Sequence, residues 1–123
     1  GTKQGLFYKK RDSDSDFLFV KGTNGQVWNL KVIDDQIFCG HDRGTILIKN
    51  QKVEYTIGQS LGTWDFKPLK GNPNIILQGN YNGLSLLEKS QGKWRYRNKI
   101  KGFDIIMGEN RKIAITCQTL FCN

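Results

Sequence analysis

The chain has 123 residues, a length that suits one ordinary domain with a packed core. Its composition, 37% apolar and 24% charged, is typical of a globular protein and excludes global disorder. A net charge of +8 permits anionic partners such as an acidic glycan, nucleic acid or a membrane surface. No run of about 18 apolar residues occurs, so neither a membrane span nor a signal peptide is predicted within this segment.

Residue usage predicts an all-β chain. There is one alanine, Ala114, against twelve isoleucines and fourteen aromatic residues. A helical domain of this size draws heavily on alanine. β-Branched and aromatic residues separated by glycine and asparagine are instead typical of strands joined by tight turns.

An internal repeat of 39 residues organises the sequence. Two glycines that stand four residues apart and precede an apolar segment occur three times, as Gly1 and Gly5, Gly40 and Gly44, and Gly79 and Gly83. A second pattern, an aromatic, a polar and an apolar residue, recurs as Trp28-Asn29-Leu30, Trp64-Asp65-Phe66 and Phe103-Asp104-Ile105. Two patterns that recur together indicate a repeat architecture.

Each period of the repeat contains four predicted strands. The chain opens with strands at 5–10 and 16–21, and the first complete unit has strands at 27–33, 36–40, 44–49 and 52–57. The second unit has strands at 63–67, 74–79, 83–89 and 93–99, with residues 70–73 as its first turn. Two further strands, 103–107 and 112–117, precede a short stub. Four antiparallel strands in about 40 residues are typical of a β-propeller blade.

The expected fold is therefore a β-propeller-type array, with residues 1–123 as a single segment. It consists of half a blade (5–21), two blades (27–57 and 63–99) and a degenerate half blade (103–123). Propellers have about 4–8 blades, so this segment is expected to belong to a larger propeller or to assemble. Two copies that share half blades would close a six-bladed ring, which predicts a homodimer.

The repeat resembles the two-component regulator propeller repeat, on the pattern of an apolar strand, glycine, three residues, and Gly-Thr or Gly-Leu. Phe38 and Leu77 stand where that family has tryptophan, and Gln118 and Cys122 stand where the last copy would have glycines. The resemblance implies the sensor region of a Bacteroidetes hybrid two-component or triple-tyrosine-motif regulator. It also implies a periplasmic location and an oligosaccharide as the input signal.

The sequence predicts no enzyme, no metal site and no cofactor. His41 is the one histidine, and Asn80 replaces it in the next repeat, so it is expected to be an ordinary turn residue. The acidic run 12–16 begins like a calcium loop, but Phe17 stands where that loop needs glycine, so a hairpin tip is the preferred interpretation. Three cysteines without a C-x-x-C pair, Cys39, Cys117 and Cys122, favour neither disulfides nor zinc.

A row of basic residues marks the last strand of the second predicted blade. On a regular strand alternate residues share one face, about 7 Å apart, so five cations would form one row: Lys93, Arg95, Arg97, Lys99 and Lys101. Trp94 and Tyr96 would then point into the blade packing. The row is either a polyanion-binding site or a charged edge that blocks unwanted strand addition.

Candidate ligand-binding residues begin the inner strands, where an aromatic ring beside a polar side chain suits a sugar. These residues are Trp28, Asn29, Trp64, Asp65 and Asp104. The alternative for the aromatic rings is packing between neighbouring blades. Two functions follow: a sensor segment that recognises a glycan-derived signal, or a basic scaffold that binds a protein or a polyanion without a sensory role. Nucleic acid is not expected as the partner.

Overall fold

The computed structural model describes residues 1–12, 16–58 and 62–100. Strands hold 64% of these residues and helices none, which confirms the all-β prediction. The described part of the chain accordingly contains no helix with the length and apolarity needed to cross a membrane. The chain divides into two compact units, Gly1–Thr63 and Trp64–Asn123, and the boundary falls at the start of the second predicted blade.

The first unit contains a two-stranded and a four-stranded antiparallel sheet. Its strands are β1 (Phe7–Tyr8), β2 (Leu18–Phe19), β3 (Val27–Ile33), β4 (Gln36–His41), β5 (Gly44–Lys49) and β6 (Lys52–Ile57). The larger sheet is a meander in the order β3-β4-β5-β6, and β1 pairs with β2. The predicted strands 5–10 and 16–21 shorten to two residues each, because a pair of strands without a third neighbour forms few ladder hydrogen bonds.

The second unit contains a four-stranded meander in the order β10-β9-β8-β7. These strands are β7 (Thr63–Leu69), β8 (Asn72–Asn80), β9 (Gly83–Ser90) and β10 (Lys93–Lys99). The predicted turn 70–73 is shorter than expected, since Asn72 and Pro73 already belong to β8. Proline lacks an amide hydrogen, and it is accommodated because β8 pairs with β9 only from Ile75 onward.

The repeat seen in the sequence is also a repeat of backbone conformation. Gly5, Gly44 and Gly83 lie 39 residues apart and have φ angles of 135°, 128° and 137°. Residues with a side chain rarely adopt such angles, so the backbone conformation explains why each copy has glycine at this position. The two four-stranded sheets match the predicted blades in strand number and direction. No sheet closes among the described residues.

The core of the first unit lies between its two sheets. Leu6, just before β1, and Val20, just after β2, pack with three residues on one face of the larger sheet: Cys39, Ile46 and Ile48. These five side chains are at most 5% exposed. Burial of this apolar surface attaches the short β1–β2 pair to the larger sheet.

In the second unit both faces of the sheet are apolar in its centre. Leu77 and Leu86 pair in register on one face, and Ile76 and Leu87 pair on the other. All four are at most 4% exposed. The sheet of the second unit therefore buries apolar side chains on both of its faces.

Two-residue hairpin turns with left-handed backbone join several of the strands. Asn50 and Gln51, between β5 and β6, have φ angles of 52° and 62°, the geometry of a type I′ turn. Glycine at the second turn position relieves the steric strain of a side chain there. We expect Gln51→Gly to raise the free energy of unfolding by about 0.5–1 kcal/mol. Urea denaturation measures this change, and a stability equal to or below that of the parent chain contradicts it.

Candidate functional site

Trp64, predicted to contact a ligand, is a packing residue in the structure. Its side chain is 7% exposed, and its Nε1 donates a hydrogen bond of 2.9 Å to the carbonyl oxygen of Asn80. A Cβ atom added to Gly79 would lie 2.6 Å from the Trp64 ring, so the absence of a side chain at Gly79 makes room for the indole. Little of the ring remains to stack on a sugar.

The polar residue that follows each aromatic has the same local role in both units. The Asp65 carboxylate accepts a hydrogen bond of 2.8 Å from the amide of Phe66, and Asn29 Oδ1 accepts one of 2.8 Å from the amide of Leu30. Asp65 is 9% exposed, whereas Asn29 is half-buried. These side chains therefore stabilise the local backbone, which is a structural reason for the recurring aromatic–polar pair.

Trp28 is the more accessible of the two tryptophans in the predicted ligand-binding set. It is half-buried and lies at an irregularity, where the pairing of β3 with β4 shifts between Val27 and Asn29. Bulges re-aim side chains and are frequent next to binding sites. Trp28 and Asn29 are thus the better-placed members of the predicted sugar-binding set, and Asp104 lies outside the described residues.

A buried polar network in the second unit was not predicted from the sequence. Gln78 Nε2 donates a hydrogen bond of 2.9 Å to Ser85 Oγ, which in turn donates to Asn80 Oδ1. All three side chains are at most 3% exposed. The residues 39 positions earlier are Cys39, Ile46 and His41, so comparison of the two copies is the one signal that points to it.

His41 is more than the ordinary turn residue that the sequence predicted. It is 0% exposed, and its Nε2 donates to the carbonyl oxygen of Thr23 over 3.1 Å. Its Nδ1 lies 2.7 Å from Asp42 Oδ1 and 3.1 Å from the amide nitrogen of Arg43. The Arg43 guanidinium also donates to the carbonyl oxygen of Gly22 over 2.9 Å. These bonds tie the β4–β5 turn to the turn that follows β2.

The basic strand β10 contains a bulge that the sequence did not reveal. Its pairing with β9 is regular from Lys93 to Tyr96 and then shifts, so that Asn98 is opposite Leu86 and Lys99 is opposite Ser85. Residues paired in register share a face of the sheet. The alternation on which the predicted row of five depends therefore stops at Arg97.

Three of the predicted cations share one face of β10. Arg95 is opposite Glu88, and Arg97 Nε lies 3.9 Å from Glu88 Oε2, which places both arginines with Lys93 on that face. Lys99 lies on the opposite face with Trp94 and Tyr96, and Lys101 is outside the described residues. The row that the structure shows, here called the basic row, is Lys93, Arg95 and Arg97.

Trp94 and Tyr96 share a face as expected but differ in burial. Trp94 is 1% exposed and Tyr96 is 39% exposed. Only the tryptophan is therefore an inward-facing core residue.

Positive charge is concentrated in the second unit. Residues 64–100 contain seven basic and two acidic side chains, a net charge of +5 out of +8 for the whole chain. Of the two acidic side chains, Asp65 is buried, whereas Glu88 is partly exposed and its Oε2 lies 3.9 Å from Arg97 Nε, so Glu88 offsets part of this charge. Every member of the basic row is exposed. The result is a positively charged outer strand.

Metal-ligating and thiol groups form no further site in the described ranges. These ranges contain no group of three or more His, Cys, Asp or Glu side chains with the geometry to hold a metal ion. Of the acidic run 12–16, residues 13–15 lie outside the described ranges. Cys39 is buried, and desolvation raises the pKa of its thiol to about 12, so its thiolate is not formed at neutral pH. Cys39 thus packs as a small buried hydrophobe.

Comparisons with protein-family models, with curated proteins and with solved structures give no match to this chain.

Proposed function

We propose that this chain is a non-catalytic ligand-recognition segment and that its ligand is an acidic oligosaccharide or polysaccharide that binds along the outer strand β10. The observation that carries the proposal is the basic row, three exposed cations on one face of one strand. Arginine binds carboxylate and sulfate groups through paired hydrogen bonds, and a strand holds such groups at a regular spacing of about 7 Å.

The choice of a glycan over nucleic acid rests on the other candidate residues. Trp28 and Asn29 lie at the bulge of β3 and retain partial exposure, which suits contact with a sugar ring and its hydroxyl groups. The resemblance to the two-component regulator propeller repeat supports the same ligand class. It also supports a sensory role, a periplasmic location and a propeller built from these four-stranded sheets.

An alternative function is a basic scaffold that binds a polyanion or a protein without signalling. The exposed charge of residues 64–100 supports it as well as it supports a sensor. The coding sequence on either side of this segment distinguishes the two, because a sensor continues into a signalling output domain and a scaffold does not.

The ligand proposal is tested by measuring affinity for heparin and polygalacturonate at several salt concentrations, with neutral dextran and duplex DNA as comparison ligands. We expect salt-sensitive binding to an acidic glycan and none to dextran. The triple variant Lys93→Ser/Arg95→Ser/Arg97→Ser should lose about tenfold or more in affinity, since three charge-assisted contacts are removed.

A matched control removes the same charge elsewhere. Lys3→Ser/Lys49→Ser/Lys52→Ser lowers the net charge equally at exposed positions of the first unit, and its affinity should stay within about twofold of the parent chain. Equal losses in both triple variants would show that net charge alone attracts the ligand and would contradict a site on β10. Tighter binding to DNA than to either glycan would replace the glycan with nucleic acid.

A further inference from the structure

One face of the β3–β6 sheet is only partly covered. Cys39 and Ile46 on this face are at most 1% exposed and pack with the β1–β2 pair. Leu30 and Val32 belong to the same face, because Leu30 pairs in register with Cys39 and Val32 with Ile37. Even so, they are 40% and 71% exposed. Leu30 and Val32 are called the β3 strip below.

The second unit shows what the repeat places at this position. Leu30 is the third residue of its aromatic–polar–apolar pattern, and its counterpart in the second unit is Phe66. Phe66 is 1% exposed. A position that is core in one copy and open in the other indicates that a covering element is needed beside β3.

The strand pair β1–β2 corresponds to the outer half of a four-stranded sheet. Gly5 lies just before β1 and Gly44 is the first residue of β5, and the two glycines have nearly the same φ angle. In the complete sheet β5 lies between β4 and β6. The described residues place β2 on one side of β1 and nothing on the other. The absent strands are therefore the first and second of this sheet, and an open strand edge next to apolar surface favours strand addition.

Near its carboxyl end, the sequence contains two segments with the patterns of a first and a second strand. Phe103-Asp104-Ile105 repeats the pattern that begins the first strand of a unit, and residues 113–117 repeat the apolar second strand. Twenty-three residues follow Ile100, enough for two short strands and a turn. Their sequence matches the first and second strands of a unit, which is the complement of β1–β2.

We propose that segment 103–117 of a second copy of this chain binds along the open edge of β1 and covers the β3 strip. In a two-fold assembly each copy supplies its segment to the other, so both open edges are paired. The second copy is preferred to the chain's own segment because two copies complete six blades, within the range of about 4–8, whereas one copy would complete three. This inference is independent of the anionic ligand.

Light scattering of the purified chain tests the assembly. We expect a mass of about 28 kDa, twice the 14.1 kDa of one chain, that persists on dilution to low micromolar concentration. Leu30→Lys/Val32→Lys should shift the mass to that of the monomer while the circular dichroism spectrum stays that of a β protein. Both residues are exposed, so their substitution spares the core of the first unit. Phe17→Lys is the control, because this exposed apolar residue precedes β2 and lies outside the strip.

Complementation makes the test specific for the segment. Ile113→Lys/Ile115→Lys alters the segment and leaves the β3 strip intact, so this variant alone should also be monomeric. An equimolar mixture of the two double variants retains one intact join and should form a 1:1 complex of about 28 kDa. A parent chain that is monomeric at all concentrations, a strip variant that remains dimeric, or a mixture that stays monomeric would each overturn the proposal.

Discussion

Gly44→Ala should lower the free energy of unfolding by about 3 kcal/mol or more. Gly44 has a φ angle of 128°, where an L side chain is strained. A Cβ atom there would lie 2.5 Å from the carbonyl oxygens of Ile57 and Gly58. Both obstacles are backbone atoms at the end of β6, so relief requires movement of a strand end. Urea denaturation followed by circular dichroism measures the change.

Gly58→Ala is the matched control for this prediction. Gly58 also has a positive φ angle, 66°, but a Cβ atom there would meet nothing within 4 Å. The two substitutions change the unfolded chain in the same way, so their difference isolates the clash and the more extreme φ angle. We expect Gly58→Ala to lower the stability by about 1 kcal/mol. Equal losses at the two positions would show that the close approach at Gly44 has no energetic consequence.

Trp94→Ala should lower the free energy of unfolding by about 3–5 kcal/mol, the range for loss of a buried aromatic side chain. Trp94 is 1% exposed and is opposite Lys89 on β9. Its removal leaves a cavity behind the strand that carries the basic row. Circular dichroism is the appropriate probe in thermal or urea denaturation, because the substitution changes tryptophan fluorescence directly.

Tyr96→Ala separates this effect from the general cost of truncating an aromatic residue on β10. Tyr96 is on the same face of the strand but is 39% exposed, so about 1 kcal/mol or less should be lost. If Tyr96→Ala destabilises the protein as much as Trp94→Ala, the assignment of Trp94 as the anchor of β10 is wrong. Anion binding by Tyr96→Ala should stay close to that of the parent chain, because the basic row lies on the other face.

The strand pattern could be predicted well because its causes are local. Three strands of the first unit and β10 have the predicted bounds, since glycine, asparagine and aspartate mark the turns on either side of each apolar run. Boundaries were less accurate at Lys70-Gly71, where a two-residue turn replaced the predicted four. Whether a central strand tolerates a proline at its start depends on where its pairing with the neighbouring strand begins. The sequence of one strand does not contain that information.

The candidate site was less predictable than the strands. Alternation along β10 predicted one row of five cations, and the bulge at Arg97 moved Lys99 to the other face. A bulge is set by the register of two strands together, so the sequence of one strand does not show it. Burial of Trp64 against Gly79 likewise depends on a contact between strands, and it removes a predicted ligand contact.

By itself, the sequence determined the all-β class, the 39-residue repeat, the order of antiparallel strands and the positive charge of residues 64–100. These properties follow from composition and from the spacing of residue types along the chain. Neither depends on contacts between residues that are distant in sequence. Only the tertiary structure decided which side chains share a face, that His41 and Gln78 are buried in hydrogen-bond networks, and that Leu30 remains open whereas Phe66 is covered. The burial of a side chain, and the face of the sheet on which it lies, depend on strand register and on the packing of residues distant in sequence. Repeats with similar patterns do not specify either of these.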